Sequence, residues 1–221
     1  MIMSVFASLR KRFRGFEPPD DGPLEPDATH EEMAGLLSTL RVRLASKQRC
    51  SVGLISARAG EGVSTVAHGL ATAAAHNPRT KVLLCSVPRD GQARSALGPM
   101  PLFVETFAAH PGDRIALGQL GGALLGESVA SAQGPAQALV RSLVGAFDLT
   151  VVELPPVSEG ALGPSLSRAL DGVVMVVEAQ RTRIPAIRAA RQTIERHGGN
   201  ILGIVLNKRR LHVPEAVYRQ L

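Results

Sequence analysis

The sequence predicts an α/β protein built on a doubly wound, mostly parallel β-sheet with helices on both faces. Short apolar runs alternate with helical stretches along most of the chain. The runs are apolar at almost every position, as in parallel strands that are buried on both faces. The chain has 221 residues, which is enough for one domain with a well-buried core. We therefore expect a single α/β domain over residues 30–221.

Residues 1–16 form a short basic segment ahead of this domain. Apolar residues recur there at spacings of three and four, and four cations lie near the end of the segment. This pattern predicts an amphipathic helix that binds an anionic membrane surface or a partner protein. A frayed tail, or a helix packed on its own domain, is the alternative. Residues 17–29 contain four prolines and five acidic residues, which predict an extended linker.

Periodicity predicts the elements of the domain in order. The first helix is expected over residues 30–47, where leucines and a methionine form one apolar stripe. Glycines and prolines in residues 92–134 indicate loops. Strands are predicted at 52–56, 82–87, 114–117, 149–154, 173–177 and 201–206, and further helices at 64–76, 135–147, 162–170 and 185–197.

Composition excludes several classes of function. The net charge is +6, but aromatic residues make up only 3% of the chain, so a base-stacking surface for nucleic acid is not expected. No cysteine and histidine spacing suits a metal site. The two cysteines, Cys50 and Cys85, fall in predicted strands and indicate core residues in a reducing compartment. No apolar run is long enough to span a membrane, and no signal-peptide pattern is present, so we expect a cytoplasmic protein.

A glycine-rich turn over residues 57–63 carries the strongest functional signal. It follows a predicted buried strand and precedes a predicted helix, which is the setting of a phosphate-binding loop. Gly60 and Gly62 allow a tight turn, and the positive end of the helix dipole faces the same point. The predicted nucleotide-contacting residues of this segment are Ala59, Gly60, Glu61, Gly62, Val63, Ser64 and Thr65.

Ligands of open α/β sheets bind at the carboxyl ends of the strands. Glu153 stands at such an end, where an acidic residue could coordinate Mg²⁺ together with Ser64. A glutamate that is salt-bridged or solvated is the alternative interpretation. Glu153 and Ser64 are therefore metal-site candidates only if a magnesium–nucleotide complex binds, and Glu153 is the only candidate for a catalytic role.

Several segments in order resemble the cytoplasmic catalytic domain of the bacterial tyrosine kinases of exopolysaccharide synthesis. This family belongs to the MinD/ParA/Mrp-like branch of P-loop proteins. The resemblance implies a P-loop NTPase-like fold, an ATP or ADP cofactor with Mg²⁺, and Asn207 on the adenine side. It also implies a partner, the cytoplasmic end of an inner-membrane polysaccharide co-polymerase. The segments that carry the resemblance are TLR at 39–41, GEGVSTVA at 60–67, VLL at 82–84, FDLTVVELPPV at 147–157, DGVVMVV at 171–177 and LGIVLNK at 202–208.

The chain departs from that family at its charged positions. Val63 stands where the family has the lysine of the loop, and Ser86 and Pro88 replace the two aspartates that close the second strand. Glu153 replaces an aspartate. These changes remove the groups that neutralise charge in phosphoryl transfer.

Two further family features are incomplete. Of the Glu-x-x-Arg-x-x-Arg motif used for ring assembly only Arg41 is present, since Gly35 and Ser38 occupy the other positions. The C-terminal tyrosine cluster is missing, and Tyr218 is the only tyrosine of the sequence. A self-phosphorylating assembly is therefore not expected.

The sequence predicts a degenerate, non-enzymatic member that binds nucleotide weakly or not at all. Its predicted role is that of a regulatory or scaffold partner of the co-polymerase, cytoplasmic and peripheral to the inner membrane. One alternative is an active ATPase or tyrosine autokinase with an atypical loop, and another is a MinD-like membrane-positioning ATPase.

Overall fold

The structure is a computed structural model that describes residues 26–45, 47–77, 79–87, 107–108, 115–119 and 147–209. The structural statements below concern these residues. The predicted basic helix over 1–16, most of the predicted linker and nearly all of the predicted helix over 135–147 lie outside them.

Four α-helices and seven strands follow one another, with a 3₁₀ turn at Val157–Glu159. The helices are α1 (Pro26–Arg43), α2 (Val63–Ala75), α3 (Leu162–Ser167) and α4 (Ile184–Arg196). The strands are β1 (Cys50–Ser56), β2 (Val82–Ser86), β3 (Phe107–Ala108), β4 (Ile115–Gln119), β5 (Leu149–Glu153), β6 (Gly172–Glu178) and β7 (Ile201–Asn207).

The strands form one sheet in the order β3-β4-β2-β5-β1-β6-β7. All neighbouring pairs are parallel except β3 with β4, which is antiparallel. The predicted doubly wound, mostly parallel sheet is confirmed. The carboxyl ends of β1, β2, β5, β6 and β7 therefore meet at one edge of the sheet, where sequence analysis placed the candidate site.

Each face of the sheet carries its own apolar cluster. On one face, α1 and α2 contribute Met33, Leu40 and Leu70 and pack on side chains such as Val52 and Leu54 of β1. On the other face, α3 and α4 contribute Leu166 and Ile194, which join the cluster that contains Ile55, Leu83 and Val152. Residues 54 and 55 thus point to opposite faces, as expected for a central strand buried on both sides.

The last strand differs from the prediction that the apolar strands are buried on both faces. β7 lies at the end of the strand order, beside β6 only. Ile204 is 50% exposed and Leu206 is 64% exposed. The apolar composition of this strand was therefore misleading, because an edge strand is covered less than a central one.

Helix boundaries also differ in two places. Helix α1 begins at Pro26, four residues before the predicted start, and ends at Arg43. Proline suits the first helical position because the N–H that it lacks would have no partner there. The end of the predicted linker is therefore helical. Helix α3 ends at Ser167, because the next turn has the hydrogen bonds of a 3₁₀ turn. The N–H of Ala169 donates to the carbonyl of Leu166, and the N–H of Leu170 donates to the carbonyl of Ser167.

Both cysteines are free thiols, as expected of core residues. Cys85 is fully buried. Burial, together with the charge of Asp171, raises the pKa of the Cys50 thiol above its usual value. A raised thiol pKa disfavours the reactive thiolate. Within the described residues, no helix combines the length and the apolar character that crossing a membrane requires.

Candidate functional site

The candidate site is the loop between β1 and α2, which contains two glycines with positive φ. Gly60 has φ +82° and Gly62 has φ +91°. A side chain at Gly62 is also excluded by space, since a Cβ there would lie 2.0 Å from Nδ2 of Asn207. Gly60 has open space around it, so only its backbone conformation favours glycine. The two glycines that the sequence singled out thus shape the loop for different reasons.

The loop presents a run of free backbone donors. Among the described residues, no N–H group from Ala59 to Thr65 makes a hydrogen bond of good geometry within the protein, although Ala59 and Gly60 lie in a turn. The first N–H groups of a helix lack intrahelical partners, and α2 begins at Val63. Consecutive N–H groups at a helix start attract anions, since the helix dipole adds to their partial charges. The arrangement can therefore bind a phosphate group through the backbone alone.

The side chain of Glu61 braces this loop from inside. Only 2% of Glu61 is exposed. Its Oε2 accepts a 3.0 Å hydrogen bond from the backbone N–H of Arg58, and its Oε1 accepts a hydrogen bond from the hydroxyl of Thr182. The prediction placed Glu61 among the nucleotide-contacting residues. Its carboxylate is bonded within the protein, so its N–H is the group that the loop offers to a ligand.

The end of β7 meets the loop from the other side. The side chain of Asn207 donates a 3.0 Å hydrogen bond to the carbonyl oxygen of Glu61. Lys208, whose φ is +56°, donates a 2.8 Å hydrogen bond from Nζ to the carbonyl oxygen of Gly60. Asn207 was predicted as a nucleotide contact on the adenine side, which stays a prediction, and the contacts of Asn207 and Lys208 with the loop were not predicted.

Ser64 and Glu153, the predicted metal-site pair, lie next to each other. The Ser64 hydroxyl donates a 2.7 Å hydrogen bond to Oε2 of Glu153. Glu153 ends β5 and lies in register with Leu54 of β1 on one side and Ser86 of β2 on the other. Hydroxyl and carboxylate oxygens are ligands that Mg²⁺ accepts. The pair has the chemistry of a magnesium site on the phosphate side of the loop.

Two uncharged residues, Val63 and Ser86, lie close to this pair in the part of the chain that the structure describes. Val63, the first residue of α2, packs its side chain against the apolar cluster beneath the helix. Ser86, which ends β2 beside Glu153, carries a hydroxyl instead of a carboxylate. A valine cannot neutralise phosphate charge, and a serine is a poor acceptor for a proton. Position 63 therefore offers a backbone N–H group to the loop but no side-chain cation.

The fold of this chain is similar to the folds of known proteins. No protein-family model matches the chain. The kinase domain of the tyrosine kinase ETK from Escherichia coli superposes with a TM-score of 0.69 at 18% identity, over 83% of this chain and 78% of that domain. The fold is that of a bacterial tyrosine-kinase domain. The predicted resemblance and the predicted P-loop class of fold are thereby confirmed.

Two further proteins are similar to this chain, one in structure and one in sequence. A nucleotide-binding protein from Archaeoglobus fulgidus in complex with ADP superposes with a TM-score of 0.50 at 18% identity, over 81% of this chain and 74% of that one. The tyrosine-protein kinase CpsD of Streptococcus agalactiae is 29% identical over 70 residues. That match covers 32% of this chain and 31% of the length of the relative.

Proposed function

We propose that the protein is a catalytically degenerate relative of the bacterial tyrosine kinases. In this proposal it acts in exopolysaccharide synthesis or export, as a regulatory or scaffold partner of an inner-membrane co-polymerase. One observation carries the loss of catalysis: the loop keeps free N–H groups from Ala59 to Thr65, while the lysine position is occupied by the partly buried Val63.

The rate that each missing electrostatic group would contribute supports the loss of phosphotransfer. Catalysis of phosphoryl transfer consists mainly of positioning and charge neutralisation. Removing one electrostatic element costs about 10²–10³ in rate. Here the loop cation at Val63 and the strand-end carboxylate at Ser86 are absent together, and the sequence has Pro88 at the second aspartate position. The combined loss leaves no useful kinase rate.

Weak nucleotide binding is compatible with the same residues. The free N–H groups suit the phosphates of ATP or ADP, since backbone amides and the helix dipole bind anions without a side-chain cation. Ser64 and Glu153 are the residues that would hold Mg²⁺, which would supply charge neutralisation at the phosphates. The nucleotide would then act as a structural ligand and not as a substrate.

The proposed location is the cytoplasmic face of the inner membrane. The analogy of fold with tyrosine-kinase domains supports the cytoplasmic end of a co-polymerase as the partner. The basic segment 1–16 would add contact with an anionic membrane surface or with the same partner. No role for nucleic acid is proposed, given the 3% aromatic content.

The test combines three measurements on the purified full chain. Calorimetry with ADP, with and without Mg²⁺, should give a weak but measurable affinity. Incubation with ATP and Mg²⁺ should give no phosphotyrosine. The chain should bind a purified inner-membrane co-polymerase in detergent, without dependence on ATP. Phosphotyrosine formation would favour the autokinase alternative, and ATP-driven cycling on and off vesicles would favour the MinD-like alternative.

A further inference from the structure

The carbonyl side of the phosphate loop is held by two neighbouring residues of one strand end. We propose that Asn207 and Lys208 form a clamp on Gly60 and Glu61 that positions the N–H groups of the loop for phosphate. Both are positioning residues in this proposal, because the proposed effect passes through their contacts with the loop. The proposal rests on the nucleotide binding proposed above.

The geometry of the peptide unit explains how the clamp acts. Lys208 binds the carbonyl oxygen of Gly60 at 2.8 Å, and Asn207 binds the next carbonyl, that of Glu61, at 3.0 Å. The peptide unit is planar and trans, so its C=O and N–H groups point in opposite directions. Holding these two carbonyls on one side directs the N–H groups of Glu61 and Gly62 to the other side. Those two N–H groups belong to the run of free donors described above.

Electrostatics add to this orientation. A hydrogen bond from an ammonium group to a carbonyl is charge-assisted, and it polarises the peptide unit that accepts it. The N–H at the opposite end of that unit becomes a better donor to an anion. Lys208 Nζ also lies 3.9 Å from Oε2 of Glu178, which Arg181 approaches to 3.4 Å. Exposed pairs of this kind contribute little energy, so they serve to direct the lysine side chain.

The clamp is built on the sheet and not on a loose tail. The backbone N–H of Ala179 donates a 2.9 Å hydrogen bond to the carbonyl of Asn207, and Asn207 lies in register with Glu178 of β6. Lys208 then adopts φ +56°, a left-handed conformation that is unfavourable for a residue with a Cβ. Such backbone strain persists where surrounding contacts determine it, and here it turns the lysine toward the loop.

The clamp is tested by removing its cation. Lys208→Met removes the donor but keeps the length of the side chain, and Lys208→Arg keeps donor and charge. Arg191→Met is the matched control, because it removes the same charge from a residue of α4. Arg191 forms an ion pair with Glu195 at 2.8 Å and does not contact the loop. The probes are ADP binding by calorimetry and ¹⁵N relaxation of the ligand-free chain. Melting temperatures establish that each variant is folded, and Asn207→Ala is the second clamp variant.

We expect Lys208→Met to weaken ADP binding about three- to tenfold, and Lys208→Arg to stay within about twofold of the wild type. Order parameters of the Glu61 and Gly62 amides should fall from about 0.85 toward 0.6 in Lys208→Met without ligand. Arg191→Met should change neither quantity. The relaxation result does not depend on a ligand. If the wild type fails to bind ADP while the loop still loosens in Lys208→Met, the nucleotide proposal fails and the clamp stands.

Two results would overturn the clamp. One is an equal loss of ADP affinity in Lys208→Met and Arg191→Met, since this would reveal a general charge effect. The other is unchanged order of the Glu61 and Gly62 amides in both Lys208→Met and Asn207→Ala, since a loop that stays rigid without its contacts is not held by them.

Discussion

Ser64 donates its hydroxyl proton to Oε2 of Glu153 across 2.7 Å, so the first turn of α2 is tied directly to the carboxyl end of β5. An aspartate at this position would be shorter by one methylene, or about 1.5 Å. The glutamate therefore reaches the hydroxyl that a metal ion would also coordinate. Because Ser64 is the donor, its oxygen keeps the lone pairs that Mg²⁺ would use, so the hydrogen bond and a metal ion are compatible.

Removing the charge of Glu153 should weaken the magnesium response. Glu153→Gln keeps an oxygen that can accept the Ser64 hydrogen bond but lacks the carboxylate charge that suits Mg²⁺. We expect ADP affinity to become less dependent on Mg²⁺ than in the wild type. Calorimetry with excess Mg²⁺ and with EDTA measures this, and Glu153→Asp serves as the control because it keeps the charge. The same magnesium response in wild type and Glu153→Gln would contradict a metal role for Glu153.

The purified chain should not phosphorylate itself. In the proposed degenerate site, Val63 and Ser86 stand where the resemblance implies charged residues, and Tyr218 is the only tyrosine of the sequence. Mass spectrometry after incubation with ATP and Mg²⁺ should find Tyr218 unmodified. The kinase domain of ETK serves as the positive control for the reaction conditions. Phosphotyrosine on this chain in the absence of any other kinase would refute the proposed degeneracy.

A lysine at position 63 should improve binding without restoring transfer. Val63→Lys places an ammonium group beside the free N–H groups of the loop, and its methylene stem can cover the apolar surface that Val63 covers now. Hydrogen bonds to charged groups contribute about 1.5–3 kcal/mol, so ADP affinity should rise roughly tenfold or more. Transfer should stay absent because Ser86 still lacks a carboxylate.

Val63→Met is the control for this experiment, since it adds length without charge. It should leave the affinity near that of the wild type. Equal ADP affinity in a well-folded Val63→Lys variant and in the wild type would mean that the loop does not receive phosphate.

The apolar runs of the sequence predicted most of the fold because six of the seven strands have five or more residues and are largely apolar. Ser64 lies in the first turn of the helix that follows β1 and its loop, and Glu153 ends the neighbouring strand β5. The parallel order of β1 and β5 therefore brings the two side chains together. β3 was not predicted, because two residues, Phe107–Ala108, are too few to form a pattern. The partial exposure of β7 was missed because composition does not distinguish an edge strand from a central one.

The contacts that shape the loop could not be predicted for a different reason. Thr182 reaches Glu61 across 121 positions of sequence, and Lys208 reaches Gly60 across 148. Neither contact leaves a local pattern in the sequence. The signal that could have indicated one of them is the basic residue directly after Asn207, at a strand end that faces the loop.

Two glycines should respond to alanine in opposite directions. A Cβ at Gly53 would lie 2.6 Å from Cδ1 of Leu170 and 2.8 Å from Cγ1 of Val173, so Gly53→Ala overpacks the core. We expect it to destabilise the fold by about 1–3 kcal/mol. Gly35 lies in α1, where a Cβ would have no neighbouring side chain within 4 Å, so Gly35→Ala should stabilise by about 0.5–1 kcal/mol. Urea denaturation measures both, and a stabilised Gly53→Ala would contradict the packing.

Residues 1–16 should attach the domain to anionic membranes without contributing to its stability. Each of the four cations contributes about 1 kcal/mol near an anionic surface, and salt weakens this attraction. Co-sedimentation with phosphatidylserine vesicles should fall strongly in a chain that begins at residue 17, while the melting temperature stays the same. Neutral vesicles serve as the control. Equal binding of both chains would refute the membrane contact, and a lower melting temperature would indicate a helix packed on the domain.

The long sequence separation between the clamp and the loop has a consequence for biosynthesis. Gly60 and Glu61 leave the ribosome long before Asn207 and Lys208, which lie 146 and 148 positions beyond their partners. Contacts this distant form late, because closing so large a loop is entropically costly. A nascent chain can therefore build most of the sheet while its phosphate loop still lacks the carbonyl contacts that fix it. The proposed clamp therefore forms only after β7 has been synthesised and docks beside β6.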